Sequence, residues 1–255
     1  NILNKNFEKS SVITYEKDKD TLSFWFNEFD YDTLHMKIKN KSYLKEYKLA
    51  YPKKILEEDS LQIESDNNNA IELGSKFILN SNIPLKFVDN NYINILNKDS
   101  VTVKFSSKIE NKNKVVFDFD VLPNDKYSIN LLPNSIVDFY GNTIDTLSYV
   151  LSTKKISDYG TLILSITSLK TYPIIVELLD LNEKIIKTKY LSSNLDDCIF
   201  NNINPGDYNI RLIYDKNENR KWDSGNYLKK INAEKTIHSI EKIKVRANWI
   251  IREII

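Results

Sequence analysis

The residues whose types and spacing are most suggestive of chemistry lie in one polar loop, DKNENRKWDSGN at 215–226. Oxygen-bearing groups recur there at alternate positions: Asp215, Asn217, Asn219, the Lys221 carbonyl and Asp223. A calcium loop of EF-hand type takes oxygens at positions 1, 3, 5, 7 and 9, with glycine at position 6 and a bidentate carboxylate at position 12. Position 6 is Arg220 here and position 12 is Asn226, so we expect the loop to lack both the left-handed residue and the bidentate carboxylate of a calcium loop. The four side chains are therefore candidate ligands of a weak calcium site.

The same loop has a second interpretation that needs no metal. Asp and Asn side chains accept backbone N–H groups within turns, and only Asp215 and Asp223 would bring negative charge to an ion. We expect Trp222 to pack onto the domain beneath, so that Trp222→Ala costs roughly 2–4 kcal/mol if the ring is mostly buried. We favour this hydrogen-bonded loop, with no metal and no cofactor, and keep calcium as the alternative.

Catalytic patterns are sparse in the rest of the sequence. The histidines His35 and His238 lie far apart in the chain, and no Gly-x-Ser-x-Gly turn is present to expose a nucleophilic serine. Phosphate-cradling glycine loops and zinc-ligand Cys/His spacings are absent too. The adjacent acids Asp196 and Asp197 would point to opposite faces of a strand, so they do not form an acid–base pair. We therefore expect a protein that is not an enzyme, with no catalytic and no cofactor-binding residue.

The bulk composition limits the classes of partner. In 255 residues, 36 Lys and Arg balance 35 Asp and Glu, so a nucleic-acid surface is not expected. The single cysteine, Cys198, excludes an internal disulfide and is expected to be a buried, small apolar residue. No apolar run approaches the roughly 18 residues of a membrane-spanning helix. The chain begins at Asn1 without a signal peptide, which predicts a mature fragment with any anchor upstream.

The polar loop follows a predicted strand, and strand patterns extend through the last third of the chain. Pro205-Gly206 predicts a turn, and Asp207–Tyr214 alternates apolar and polar residues as a half-buried strand does. Further strands are predicted at Thr161–Thr167, Ile174–Leu179, Ile185–Leu191, Cys198–Phe200, Ile237–Val245 and Trp249–Glu253. The run Ile174–Val176 is apolar at every position, which predicts a strand buried on both faces.

Two other strand-rich regions precede this one. In residues 70–156 the predicted strands are Lys76–Leu79, Leu85–Val88, Val101–Phe105, Val115–Phe119, Tyr127–Leu131 and Leu147–Ser152. Their inward-facing residues are predicted to include Phe77, Leu79, Phe105, Val115, Phe117, Phe119, Tyr127, Ile129 and Leu131. In residues 1–69 strands are predicted only at Thr21–Phe26, Thr33–Ile38 and Glu46–Ala50. We predict an all-β fold of tandem β-sandwiches, in which 1–69 is the remainder of a truncated domain, 70–156 is Ig-like and 157–255 is the last sandwich.

The middle domain carries a family resemblance. The segments NSNIPLKFVD, YSINLLP and IVDFYGN follow one another in residues 80–142. This order resembles the bacterial Ig-like domain named after the S-layer protein SbsA, over about a third of the chain. The resemblance implies a sandwich of about seven strands that serves as a spacer or scaffold.

The last domain carries a second, narrower resemblance. The sequence Asn-Pro-Gly-Asp-Tyr at 204–208, ahead of a strand, is similar to prealbumin-like or Cna-B-like modules of secreted bacterial proteins. The segments YGTLILSI, YPIIVELLD, DKNENRKWDSGNYLKK and VRANWIIRE, with the link Ser157–Gly160, resemble the C-terminal part of Ig-like-domain lipoproteins of Bacteroidota. That family implies an outer-membrane protein anchored by lipid on an N-terminal cysteine, a residue that this chain does not contain.

These observations lead to a hypothesis and an alternative. The hypothesis is a non-enzymatic cell-envelope lipoprotein, a structural or docking subunit of an outer-membrane complex for β-barrel assembly or secretion, with outer-membrane proteins as partners. The alternative is a surface glycan-binding module that stacks sugars on aromatic rings such as Trp25, Tyr140 and Trp249. A coplanar row of exposed rings would favour the sugar, whereas a flat exposed strand edge would favour a protein partner.

Overall fold

The structure is a computed structural model that describes residues 11–16, 21–26, 33–40, 43–50, 60–167, 169, 171–193, 197–239 and 241–255. These residues form β-strands joined by turns and short 3-10 segments. In chain order the strands are β1 Ser11–Glu16, β2 Thr21–Phe26, β3 Thr33–Asn40, β4 Tyr43–Ala50, β5 Ile63–Ser65, β6 Phe77–Ser81, β7 Leu85–Val88, β8 Ile93–Leu96, β9 Phe105–Glu110, β10 Lys114–Phe119, β11 Lys126–Leu131, β12 Ile136–Asp138, β13 Leu147–Ser152, β14 Gly160–Ser165, β15 Ile174–Leu179, β16 Ile185–Leu191, β17 Cys198–Ile203, β18 Gly206–Tyr214, β19 Thr236–His238, β20 Ile243–Val245 and β21 Ile250–Ile254. The predicted all-β fold is confirmed.

Two hairpins make up the described part of the N-terminal region. Strand β1 pairs antiparallel with β2, and β3 pairs antiparallel with β4. Trp25 donates its indole N–H to Thr14 Oγ1 at 2.8 Å, and the rings of Phe24 and Phe26 stack with centroids 5.7 Å apart. Because residues two apart share a strand face, Phe24 and Phe26 lie on one side of β2 and Trp25 on the other, as the sequence predicts.

The first sandwich is built from β5 to β13. One sheet has the order β5-β6-β10-β9, a second has the order β13-β11-β8, and β12 pairs with β7. Buried residues from these sheets meet in one core: Phe77, Leu79, Leu85, Ile95, Val115, Phe117, Tyr127, Ile129, Leu131, Ile136 and Leu151. The rings of Phe77 and Phe117 lie 5.5 Å apart at its centre. Every inward-facing residue predicted from the sequence belongs to this core or packs against it.

A buried carboxylate closes one turn of the first sandwich. Asp138, at the end of β12, accepts the backbone N–H of Asn142 at 2.8 Å and the side-chain amide of Asn142 at 3.2 Å. Between them Gly141 has φ +96°, a conformation that glycine adopts without the penalty of a Cβ atom. Asp138, Gly141 and Asn142 of the segment IVDFYGN are therefore all part of one hydrogen-bonded turn.

The second sandwich is built from β14 to β21. One sheet has the order β17-β14-β21, with β14 and β21 parallel, and the other has the order β16-β15-β18-β19, with β20 also paired to β18. The two sheets enclose a core that includes Leu162, Leu164, Ile174, Val176, Leu178, Cys198, Phe200, Ile210, Leu212, Ile243 and Val245. All six residues of β15 are buried. This confirms that the run Ile174–Val176 is covered on both faces, and the predicted tandem sandwiches are confirmed as well.

The structure corrects several strand predictions. Residues 101–104 do not form a strand, because the Asn97 side chain accepts the N–H groups of Asp99 and Val101 in a turn and the strand starts only at Phe105. The predicted strand Ile237–Val245 is divided into β19 and β20. Strands β1, β5, β8 and β12 escaped prediction, and two of them, β5 and β12, are only three residues long, too short to show alternation.

The chain divides into two compact units, Asn1–Thr153 and Lys154–Ile255. Strand β5 lies before the predicted boundary at residue 70, yet it pairs with β6 of the first sandwich. Leu61 and Ile63 also pack against that core, so the first sandwich includes residues from Leu61 onward. The boundary predicted at residue 70 therefore moves to about Leu61, and a separate domain in the residues before it stays a prediction.

Candidate functional site

The polar loop found in the sequence connects β18 to β19 and lies over the outer face of their sheet. Ile175 and Ile213 are register neighbours that point away from the core of the second sandwich, yet both are buried. Arg220 of the loop places its guanidinium 4.8 Å from the ring centroid of Tyr190, and Tyr190 pairs with Ile175 on the other side. The loop therefore covers this end of the sheet from outside.

Asp215 is the buried carboxylate at the start of the loop. Its side chain is only 1 % exposed, with Oδ1 accepting the N–H of Asn219 at 3.1 Å and Oδ2 accepting the N–H of Arg220 at 2.8 Å. Its own N–H donates to the carbonyl of Pro173 at 3.2 Å. A charge removed from water needs such donors. Asp215 thus folds the next five residues back over itself.

A residue of the loop adopts the left-handed conformation although it is not a glycine. Arg220, at the position where a calcium loop has glycine, has φ +62°. This conformation costs a residue with a Cβ about 1 kcal/mol or more, and here the hydrogen bond to Asp215 and the stacking on Tyr190 offset that cost. The sequence-based expectation that the loop lacks a left-handed residue at this position is therefore wrong.

Glu234 is a further carboxylate of the loop that the sequence pattern did not reveal. It is buried just before β19, where Oε1 accepts the N–H of Lys216 at 2.8 Å and Oε2 accepts the N–H of Asp223 at 3.1 Å. It lies eleven residues beyond Asp223 in the chain, outside any continuous loop pattern. We call Asp215, Asn217, Asn219, Asp223 and Glu234 together the loop base.

The remaining members of the loop base converge on Asp223. The Nδ2 atoms of Asn217 and Asn219 lie 2.5 Å and 2.7 Å from Asp223 Oδ2. Their Oδ1 atoms accept the N–H groups of Asn219 and Lys221 at 3.1 Å and 2.8 Å. The four predicted ligand side chains thus do come together, as parts of a hydrogen-bond network.

A metal role for the loop base stays a prediction. Within the described ranges, no group of three or more His, Cys, Asp and Glu is arranged to hold a metal ion. The oxygens available would be those of the four predicted side chains and of Glu234. A thermal midpoint that rises in millimolar calcium and falls in EDTA would establish the site.

Trp222 closes one edge of the loop but is not buried. Its side chain is 50 % exposed, and its indole N–H donates to the carbonyl of Glu234 at 3.1 Å. The expectation of a mostly buried ring is wrong, because the segment that Asp215 folds back already covers the sheet. The cost of Trp222→Ala should accordingly fall below the roughly 2–4 kcal/mol of a buried ring.

Beyond Trp222 the loop continues as a narrow hairpin, residues 223–234, which we call the arm. Asn226 and Ile231 exchange both backbone hydrogen bonds across it, at 2.8 Å and 3.0 Å. A Cβ atom added at Gly225 would lie 2.9 Å from the Ala233 nitrogen and from the Ile231 oxygen. The arm is therefore as narrow as two backbones allow, and it needs glycine at this point.

The tip of the arm, Tyr227–Lys230, presents two nearly fully exposed apolar side chains. Tyr227 is 95 % exposed and Leu228 is 92 % exposed. The turn is held by the N–H of Lys230, which donates to the Tyr227 carbonyl at 3.1 Å, and by the N–H of Lys229, which donates to Asn226 Oδ1 at 3.0 Å. Side chains of this size gain free energy when a partner removes them from water. Sequence reasoning missed the tip, because the letters YLKK do not show which loop residues face solvent.

The other residues considered for chemistry lie apart from the loop base. His35 on β3 and His238 on β19 are exposed and belong to different units. Cys198 is buried in the second core, and burial raises the pKa of its thiol to about 12. The prediction that Cys198 is a buried apolar residue is confirmed.

Comparisons with known proteins give only distant likenesses. No protein-family model matches the sequence, and no curated protein matches it. Among solved structures, native alpha-2-macroglobulin from Escherichia coli is 11 % identical, with a TM-score of 0.35 over 62 % of this chain and 69 % of that one. The major pilin subunit of Bacillus cereus is 12 % identical, with a TM-score of 0.25 over 97 % of this chain and 81 % of that one. The T6 backbone pilin of Streptococcus pyogenes is 12 % identical, with a TM-score of 0.22 over 90 % of this chain and 59 % of that one.

These scores supply no argument about function. The sandwich fold is established by the sheets and cores themselves. Among the described residues, none lies in a helix with the length and apolar character needed to cross a bilayer.

Proposed function

We propose that this chain is a non-enzymatic cell-envelope protein that acts as a structural and docking subunit of an outer-membrane protein complex. The observation that carries the proposal is the tip, where Tyr227 and Leu228 are exposed at the end of an ordered arm. Tyrosine is among the residues that contribute most to protein–protein binding energy. An exposed apolar pair of this kind suits a complementary pocket on another protein.

The loop base supports this role, because it fixes the arm before any partner is present. Asp215 and Glu234 each accept two backbone N–H groups at the start and end of the loop. A segment already ordered in the free protein loses less conformational entropy on binding. The arm can therefore present its tip at little entropic cost.

The location and the anchor are part of the proposal and rest on the sequence resemblance to Bacteroidota lipoproteins. In that arrangement, lipid on an N-terminal cysteine outside this chain holds the protein at the outer membrane. The sandwiches then act as rigid spacers, and the tip contacts an outer-membrane protein of a barrel-assembly or secretion complex.

Co-purification after mild detergent extraction from native membranes tests the proposal. The unaltered protein should carry an outer-membrane protein with it, and the double variant Tyr227→Ser/Leu228→Ser should lose that protein. The matched control is Leu181→Ser/Ile185→Ser, which removes two exposed apolar side chains of the same unit, one in the β15–β16 turn and one at the start of β16. A protein that purifies alone, or a partner retained equally by both variants, would overturn the proposal.

A surface glycan-binding module remains the second candidate. One observation favours it, since the exposed rings of Trp222 and Tyr227 lie in the same loop, and exposed aromatic rings can stack on sugars. A glycan array probed with the purified chain separates the two functions. Strong binding to a defined glycan that Trp222→Ala abolishes would favour the module, and silence across the array would count against it.

A further inference from the structure

The second sandwich has an open side where two edge strands face one groove. Strands β16 and β17 each stand at the end of their sheet. A groove of about 320 Å³ lies between them, and its described lining is Lys187, Thr188, Lys189, Ile199, Phe200, Asn201 and Asn202. The free edge of a strand offers backbone N–H and C=O groups for pairing with another chain.

Two lysines of β16 direct positive charge into this groove. Lys187 pairs with Leu178 and Lys189 pairs with Val176, and both partners face the core. Because paired residues share a sheet face, the two lysines point inward, toward the other sheet. Lys187 Nζ donates to the carbonyl of Asn201 on β17 at 2.6 Å, so this side chain spans the groove.

On the facing edge of β17, the acceptor of the Lys187 hydrogen bond lies at an irregular part of the strand. The pairing of β17 with β14 shifts register between Gly160 and Leu162, and Asn202 has φ +53°. Such a bulge bends the strand and leaves a backbone group unpaired within the sheet. The Asn201 carbonyl, which accepts from Lys187 across the groove, lies next to this bulge.

The charge of the groove indicates what kind of chain it fits. None of the lining residues that the structure describes is acidic, and residues 154–255 contain 17 Lys and Arg against 13 Asp and Glu. Lys187 and Lys189 are two residues apart on one strand face, which is a separation of roughly 6.6 Å. Acidic side chains two residues apart on an added strand have the same spacing.

We infer that this groove binds an extended segment of a partner protein that carries acidic side chains at alternate positions. The segment lies along the free edge of β17 and bonds its backbone there. Its two carboxylates meet the ammonium groups of Lys187 and Lys189. This second surface does not depend on the tip, so its failure and the failure of the proposed docking through Tyr227 and Leu228 are distinguishable.

Titration of the isotope-labelled full chain with short peptides tests the inference. The probe is the capped hexapeptide Thr-Glu-Val-Glu-Val-Thr, and its isomer Thr-Val-Glu-Glu-Val-Thr has the same composition and charge with adjacent glutamates. Amide shifts should move at residues 187–189 and 199–202 with the first peptide. The isomer should bind roughly tenfold more weakly, a difference of about 1.4 kcal/mol. The double variant Lys187→Gln/Lys189→Gln should bind the first peptide more weakly by a similar factor.

The matched control is Lys242→Gln/Lys244→Gln, which removes two exposed lysines at β20. Strand β20 lies in the same sheet as β16, on the edge opposite to it. The control variant should leave peptide binding unchanged. Equal binding of the two isomers would mean simple charge attraction and would overturn the inference. Amide shifts confined to other residues, or no amide shifts at millimolar peptide, would overturn it as well. Concentration-dependent shifts of the same amides without peptide would show that a second copy of this chain occupies the groove instead.

Discussion

Asp215 shows how one buried side chain can organise a loop. Its two oxygens accept the N–H groups of Asn219 and Arg220 at a position that is almost completely enclosed. Asp215→Ala would leave the N–H of Arg220 without its acceptor and the N–H of Asn219 with only Asn217 Oδ1. We expect a loss of roughly 2–4 kcal/mol in the unfolding free energy, measured by urea denaturation. Asp215→Asn keeps one oxygen and should lose less, so equal losses for both variants would contradict this role.

Cys198 illustrates burial without reactivity. Burial raises the pKa of its thiol to about 12, so almost none of the reactive thiolate exists at neutral pH. We predict that N-ethylmaleimide labels the native protein negligibly at pH 7.5 and labels it fully in denaturant. Rapid labelling of the native protein would contradict the buried position.

The same pKa shift has a consequence for stability. The folded state holds the thiol proton more tightly than the unfolded state does, and this difference adds to the free energy of unfolding. The added stability is complete below the ordinary thiol pKa near 9 and is lost as pH rises toward 12. The variant Cys198→Ala should therefore lose less stability across that pH window than the unaltered protein does.

At the scale of elements, the first sandwich depends on rings packed side by side on the inner face of the β5-β6-β10-β9 sheet. Phe117 of β10 is fully buried, with its ring 5.5 Å from Phe77 and 6.1 Å from Phe105. Phe117→Ala should empty this position and lower the unfolding free energy by about 3–5 kcal/mol. The measurement is the thermal midpoint of the first unit. An unchanged midpoint would contradict the inward direction of this strand face.

The arm is an element whose shape depends on a single glycine. Gly225→Ala would force a Cβ to within 2.9 Å of two backbone atoms of the facing segment, so the arm must open. We predict that this variant loses the co-purified partner while the thermal midpoint changes little, since the arm lies outside the core. Gly206→Ala is the control, because its Cβ would meet only the Tyr208 ring, at 3.6 Å. Partner loss with Gly206→Ala, or retention with Gly225→Ala, would contradict the role of the arm.

Strand positions could be predicted where alternation or apolar runs were long enough. The bounds of β2, β7, β13, β15 and β16 agree with the predicted ones, because these strands show a clear pattern between turn residues. The loop base was only partly visible. Asp215, Asn217, Asn219 and Asp223 share one local spacing, whereas Glu234 joins them through the return of the chain after the arm. The exposure of Tyr227 and Leu228 depends on tertiary structure, which a local pattern does not encode.

At the scale of the whole molecule, the residues that the structure describes form two cores with no shared residue. One core lies between Ile71 and Leu151 and the other between Leu162 and Val245. The units also differ in charge, with 19 Lys and 22 Asp and Glu in residues 1–153 against 17 Lys and Arg and 13 Asp and Glu in residues 154–255. The two surfaces proposed for binding, the tip and the β16–β17 groove, both belong to the basic second unit.

The measurement that tests the docking role most directly is photo-cross-linking from the tip in intact native cells. A photoreactive amino acid replaces Leu228, and a second protein carries it at Asn182, an exposed position in the β15–β16 turn of the same unit. We predict that position 228 yields one abundant adduct with an outer-membrane protein and that position 182 does not. No adduct from position 228, or the same adducts from both positions, would contradict the assignment of the tip as a docking surface.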